Sequence, residues 1–222
     1  MAENLNIRIN TNSRLYCKDP ESSDLGIQII SKSIEMINTI GFESFTFKKL
    51  GDSIGSNESS VYRYFSNKHS LLIYLVNWYW SWMDYKIVMK TSNINDVKEK
   101  LKISIKLLVE DVKKDSNFSF VDEVLLNKII ITESSKAYHN IDIDKENEKG
   151  FFKTYKQVVE RVSNYILELN PDFEFPHMLV STIIEGAHNQ RFFADHIPSL
   201  TDFKKGKNNI VRFYTNLVFC SL

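Results

Sequence analysis

The chain has 222 residues, 43% of them hydrophobic and 25% charged, the make-up of a folded globular protein rather than a disordered one. Its 28 Lys and Arg balance 28 Asp and Glu, which excludes a global positive field as the source of any attraction to nucleic acid or an anionic membrane. No run of about 20 apolar residues offers a membrane span, the first residues lack a secretory signal, and Cys17 and Cys220 stand near opposite ends without metal-ligand spacing. A cytoplasmic protein with reduced thiols, no membrane association and no cofactor is the expectation.

With 7 Gly and 4 Pro in the whole chain, punctuation is sparse and long helices are expected, so the fold class is all-α with about nine helices. Residues 1–23 are polar and irregular and read as a flexible arm, with a weak strand-like alternation at Leu5, Ile7 and Ile9. From Asp24 the period changes: Ile27, Ile30, Ile34, Ile37 and Ile40 share one helical face, capped by Ser23 or Asp24 and stopped at Gly41. Thr46 caps a second, shorter helix with Phe47, Leu50 and Ile54 inward. Gly55 supplies a turn, Ser56 or Asn57 caps a third helix carrying Val61, Tyr62 and Phe65, and Ser66 or Asn67 caps a long fourth helix over 67–90. Helix, glycine turn and helix in this order is the helix-turn-helix arrangement. Further helices are expected at 95–114, 120–138, 144–169, 175–196 and 201–220, with a DNA-binding domain over 24–70 and a larger domain over 71–222.

The stretch GFESFTFKKLGDSIGSNESSVYRYFSNKHSLL resembles the signature of the TetR family of regulators, and the resemblance covers roughly residues 24–72. It rests on Gly41-Phe42, Thr46, Gly55, the block from Val61 to Phe65, and Lys68 followed by Leu71 and Leu72. It implies that Tyr62 and Lys68 contact the DNA backbone and that Asn57, Glu58, Ser59, Ser60 and Arg63 face base edges. Residue chemistry points the same way, since a helix N-terminus flanked by hydroxyl and ammonium groups suits phosphate. Thr46, Lys48 and Lys49 supply such groups, although exposed lysines also serve as solvated surface charge. Two positions depart from the family pattern. Glu58 stands where basic or small residues are common, with cytosine N4 as its natural partner, and His69 replaces a frequent acidic residue. Arg63 suits guanine or phosphate equally. Tyr64 and Phe65 read as core.

Beyond Leu72 the resemblance is architectural and implies a ligand-sensing, dimer-forming domain. The fourth helix holds all 3 tryptophans, and Leu71, Leu75, Trp78, Trp82, Tyr85 and Met89 recur at three and four residues. Such a stripe is either core or the wall of a pocket for an apolar or aromatic effector, with Trp78, Trp82 and Tyr85 as ligand contacts. The last two helices are expected to pair with those of a second copy, through Ile183, Ile184, Gly186, Ala187, Phe192, Phe213, Leu217 and Phe219. Gly186 inside a helix costs about 1 kcal/mol relative to alanine unless a close approach compensates. Glu185 and His188 have metal-site spacing, but a di-iron bundle needs a second such pair and none occurs; no glycine loop, GxSxG or HExxH motif suggests an enzyme.

These readings imply a homodimer that blocks transcription at a pseudo-palindromic operator in duplex DNA and is released by a small-molecule effector. Balanced charge and Glu58 motivate an alternative, a helical interaction protein of the same fold without operator binding.

Overall fold

The computed structural model describes residues 9, 11–115, 118, 120–204 and 209–222. Among the described residues ten α-helices run in order: α1 Asp24–Ser44, α2 Phe47–Ser53, α3 Glu58–Tyr62, α4 Lys68–Thr91, α5 Val97–Val109, α6 Glu123–Tyr138, α7 Ile143–Glu148, α8 Lys153–Leu169, α9 Pro176–His196 and α10 Asn209–Ser221. Three short 3-10 turns, Ser13–Leu15, Pro20–Ser22 and Pro198–Leu200, accompany them, and no strand occurs among the described residues. Leu5 and Ile7 of the expected alternation lie outside those residues; Ile9 is buried.

Local chemistry starts the helices where side chains can close their first turns. Ser23 accepts from the Gly26 amide, Thr46 from Lys49, Asn57 from Ser60, Asp96 from Lys98 and Asp122 from Leu125. For α4, Asn67 Oδ1 accepts from the Ser70 amide at 2.8 Å. Gly41 (φ 76°, ψ 157°) breaks α1 internally, so the helix stops and resumes for one short turn to Ser44.

Three expected helices are cut back. The single helix read over 144–169 is two, because Gly150 takes φ 78°, a left-handed conformation that L side chains resist. α5 ends at Val109 rather than residue 114: the Arg191 guanidinium donates to the Val109 carbonyl and, at 3.2 Å, to Asp111, satisfying the helix end from outside. The last helix begins at Asn209, and 201–204 are extended; 205–208 lie outside the described residues.

The chain divides into two compact units, Met1–Ser81 with Val112–Lys153, and Trp82–Asp111 with Thr154–Leu222. In the first, Ile29, Ile30, Ile34 and Ile37 of α1 are buried, as are Phe45, Leu50, Val61 and Phe65, all essentially inaccessible. The α1 face is rotated from the expected one: Ile29 enters it, while Ile40 is exposed. Asn38 Nδ2 donates to the Leu125 carbonyl of α6 at 3.0 Å, and Lys136 pairs with Glu43 at 2.7 Å, so α6 lies along α1. Every residue from Leu71 to Trp80 is buried, so this part of α4 has no solvent side and its apolar residues form no single stripe. The second unit packs α5, α8, α9 and α10 through Leu101, Ile105, Val162, Ile183, Tyr214 and Val218, with Arg161 gripping Asp84 by two bonds of 2.7 and 3.1 Å.

The segment read as a flexible arm is not loose from Asn12 onward. Leu15 is 3% exposed, Pro20 is buried, and backbone and side-chain bonds tie it to the first unit. Burial of Leu15 and Pro20 offsets the ordering entropy that a polar arm could not recover.

Candidate nucleic-acid interface

α2 and α3 are joined by a turn in which the Ser56 amide donates to the Gly51 carbonyl at 2.9 Å and Gly55 takes φ 65°. A Cβ on Gly51 would stand 3.0 Å from the Ser56 carbonyl oxygen, so the two helices approach closely there. Phe47, Leu50 and Val61 fill the angle between them.

Around this core the sequence-predicted contacts separate by exposure. Thr46, Lys48 and Lys49 occupy the outer side of the first turn of α2, with Lys49 Nζ donating to the Ser44 carbonyl at 2.8 Å. Tyr62 is 48% exposed and leans its ring edge-on against Phe47, centroids 5.0 Å apart, so a buried aromatic fixes its direction. Arg63 is exposed beside it, whereas Tyr64 and Phe65 are buried as expected. At the other end of α3, Asn57 Oδ1 accepts from the Ser60 amide (2.9 Å) and from the hydroxyls of Ser59 (2.7 Å) and Ser60 (2.8 Å). Both serines have thus given up their donor hydrogens and present lone pairs, and Glu58 presents a carboxylate next to them. Such acceptors match exocyclic amino groups of adenine and cytosine in a major groove.

Lys68 is placed otherwise. Its ammonium donates to the carbonyls of Phe42 (3.1 Å) and Glu43 (3.2 Å) and lies 4.8 Å from the Phe42 ring centroid. Two of its three N–H groups close the broken end of α1, which a backbone-phosphate contact would have to give up. His69 pairs with Glu146 of α7 at 2.8 Å, and Glu146 also accepts from Asn140 at 3.2 Å.

Of the ligand contacts expected on α4, Trp78 and Trp82 are 1% and 0% exposed, and Tyr85 is half-buried. Trp78 sits edge-on to Phe118 at 5.5 Å, and Lys86 lies 4.2 Å from the Trp82 ring centroid. Polar tips nearby are spent inside the protein: Trp80 donates to Tyr138 at 3.0 Å and Tyr79 to Asn127 at 2.9 Å. In the second unit an open cavity of about 840 Å³ is lined by Gln190, Thr201, Arg212, Phe213, Asn216 and Leu217 among others; nothing in the sequence pattern singled it out.

The expected partner-contact residues also divide. Ile183, Ile184 and Ala187 are 0% exposed in the single chain, because α9 turns them toward α5 and α10, so they are intrachain core rather than surface for a second copy. Phe213 (58%) and Leu217 (38%) do face outward from α10, while Phe192 and Phe219 are half-buried. Gly186 permits a close approach, but within the chain: its neighbour is Tyr214. His188 is buried, and burial followed by the nearby Arg191 charge depresses its pKa to about 3. Among the described residues no group of three or more metal-ligating side chains occurs, and no helix is long and apolar enough to cross a membrane.

The model of the bacterial regulatory proteins of the TetR family matches residues 29–75. No curated protein matches the chain in sequence. Among solved structures, the superantigen PfiT is similar with a TM-score of 0.58 at 12% identity, covering 91% of this chain and 97% of that one. AibR in complex with isovaleryl coenzyme A and operator DNA gives 0.57 at 12% identity, covering 86% and 96%. The ketosteroid transcriptional regulator KstR2 of Mycobacterium tuberculosis gives 0.55 at 14% identity, covering 96% and 97%. At such identities the structural likeness establishes the fold, and the residue-level match resides in the helix-turn-helix. The match to the TetR family of bacterial regulatory proteins is thus confined to residues 29–75, the helix-turn-helix, and the rest of the chain shares with these structures the fold.

Proposed function

We propose that the chain is a DNA-binding, ligand-responsive transcriptional regulator that acts as a homodimer and represses at a pseudo-palindromic operator. The observation that carries this reading is the exposure pattern around α3, where Tyr62 and Arg63 project from a helix whose Val61 and following Phe65 are core. Thr46, Lys48, Lys49 and Tyr62 would hold phosphates, while Glu58, Ser59, Ser60 and Arg63 meet base edges. Asn57 organises the two serines and Lys68 braces the domain. In a dimer of such heads the two α3 helices must lie about 34 Å apart to enter successive major grooves.

The outward apolar residues of α10, Phe213 and Leu217, are the surface this reading assigns to the second copy. An effector that binds better to the splayed arrangement of the heads releases DNA, because differential affinity shifts the equilibrium. AibR, solved with both isovaleryl coenzyme A and operator DNA, is a precedent for such dual binding on this fold. The aromatic content of α4 favours a largely apolar or aromatic effector, with half-buried Tyr85 the accessible member of the set.

The test is binding of the purified protein to the DNA upstream of its own gene and to duplexes selected from a random pool, at several salt concentrations. Tight, steeply salt-dependent binding that prefers a palindromic duplex and is lost in Tyr62→Ala is expected. Equal, weak binding to every duplex, unchanged by Tyr62→Ala, rejects the reading in favour of a helical interaction protein.

A further inference from the structure

α3 has only five helical residues, too few for an isolated helix to persist, so its orientation depends on what holds its two ends. The N-terminal end is held by the Asn57 cap and the Gly51–Ser56 bond. The C-terminal end runs into Tyr64, a residue 3% exposed. Three bonds from one short stretch of chain converge on it. The Cys17 amide donates to the Tyr64 carbonyl at 2.8 Å, Lys18 Nζ donates to the phenol oxygen at 3.2 Å, and the phenol and Ser23 Oγ share a bond of 2.8 Å. The Ser23 bond is also the main reason the phenol titrates below its ordinary range.

This stretch is itself firmly seated. Pro20 presses on α1 at Gly26, where a Cβ would stand 2.8 Å from the Pro20 Cα and closer still to its carbonyl, so no other residue fits without displacing the turn. Glu21 accepts from the Tyr74 hydroxyl at 3.1 Å, and the Tyr16 ring meets Tyr74 edge-on at 6.2 Å. Tyr74 in turn packs on Phe65 at 5.3 Å. At its start, Asn12 Nδ2 donates to the Lys149 carbonyl at 3.0 Å.

We infer that the segment from Asn12 to Ser23 is a strap that positions the recognition helix through Tyr64, with Ser23 and Lys18 as positioning residues that set operator discrimination without touching DNA. The inference rests on the DNA-binding reading above, but its structural half is separable from it. The strap clamps the end of α3 onto α1 and α4, so that Arg63 and the serines of α3 keep one orientation before any DNA arrives. Preorganisation of this kind favours the correct sequence, since a helix free to rock meets wrong bases nearly as well as right ones.

The experiment uses the full chain and Tyr64→Phe, which keeps the ring and the backbone bond from Cys17 but deletes the phenol bonds to Ser23 and Lys18. Ser23→Thr, which retains a hydroxyl and a cap, is the conservative control. The first readout needs no DNA: amide hydrogen exchange at residues 61–65 is expected to quicken by about tenfold in Tyr64→Phe, the equivalent of ~1.4 kcal/mol, and to stay unchanged in Ser23→Thr. Unchanged exchange in Tyr64→Phe overturns the strap whatever the protein binds. The second readout is the ratio of affinities for the selected duplex and for random duplex. It is expected to fall about tenfold in Tyr64→Phe with the salt slope preserved, because no phosphate contact is lost. A retained ratio, or a salt slope reduced by Lys18→Gln, overturns the positioning role. If the wild-type protein prefers no duplex, the regulator reading and its discrimination clause fall together, and the exchange data still decide whether the strap holds the helix.

Discussion

Gly186 of α9 lies directly beneath the hydroxyl of Tyr214 of α10: a methyl group at residue 186 would stand 2.6 Å from Tyr214 Oη and 3.4 Å from Cζ. Alanine is the better helix former by about 1 kcal/mol, yet Tyr214 is 4% exposed and has little room to retreat. Gly186→Ala is therefore expected to lower stability by ~1–3 kcal/mol in urea unfolding. Removing the hydroxyl with Tyr214→Phe should restore most of that loss in the double variant. Additive losses in the double-mutant cycle would show that the contact does not govern the glycine.

Lys68 and Arg63 are both cations of the helix-turn-helix, but only Arg63 projects freely from it. Lys68→Met should cost ~1–3 kcal/mol of stability, because the Phe42 and Glu43 carbonyls lose a charged donor, and should leave the salt dependence of DNA binding intact. Arg63→Ala should do the reverse, reducing the slope of log affinity against log salt by about 1 with little change in stability. A slope lowered by Lys68→Met would assign that ammonium to phosphate after all.

His188 is neutral in the fold, its pKa pushed from 6.5 to about 3 by burial and then by the charge of Arg191. A histidine with a depressed folded value contributes stability that is present above its unfolded pKa and lost as pH falls below it. Stability should therefore decline from about pH 6.5 downward with a slope approaching one proton, about 1.4 kcal/mol per pH unit. His188→Gln should remove that share of the slope, measured as urea midpoints between pH 7 and pH 4.5. An imidazole resonance of His188 that titrates near its ordinary value in folded protein would contradict the burial.

Helix starts were legible in the sequence because capping is a local event. Ser23, Thr46 and Asn57 act on amides two or three residues ahead, and no distant contact is needed to recognise them. The turn at Gly55 and the alternation of buried Val61 and Phe65 with exposed Tyr62 and Arg63 are local in the same sense. The seating of residues 12–23 was not legible. Its one sequence hint is the Asp19-Pro20 pair, a turn start whose docking site, Gly26, is recognisable only once Pro20 is seen against it.

The sequence by itself determined the all-helical class, through sparse glycine and proline and helical periodicity, and the helix-turn-helix order, through caps and a glycine turn a few residues apart. Only the tertiary structure decided who buries what. Periodicity marks Ile183, Ile184 and Ala187 as apolar but is blind to whether α5 and α10 or a second copy covers them, and it cannot say that Lys68 closes the end of α1. It likewise read α4 as one-sided, whereas neighbours distant in sequence enclose Leu71 to Trp80 on every side. The physical reason is common to all three: burial depends on contacts between segments far apart in the chain, and hydrophobic patterning records that a side chain seeks cover without naming what provides it.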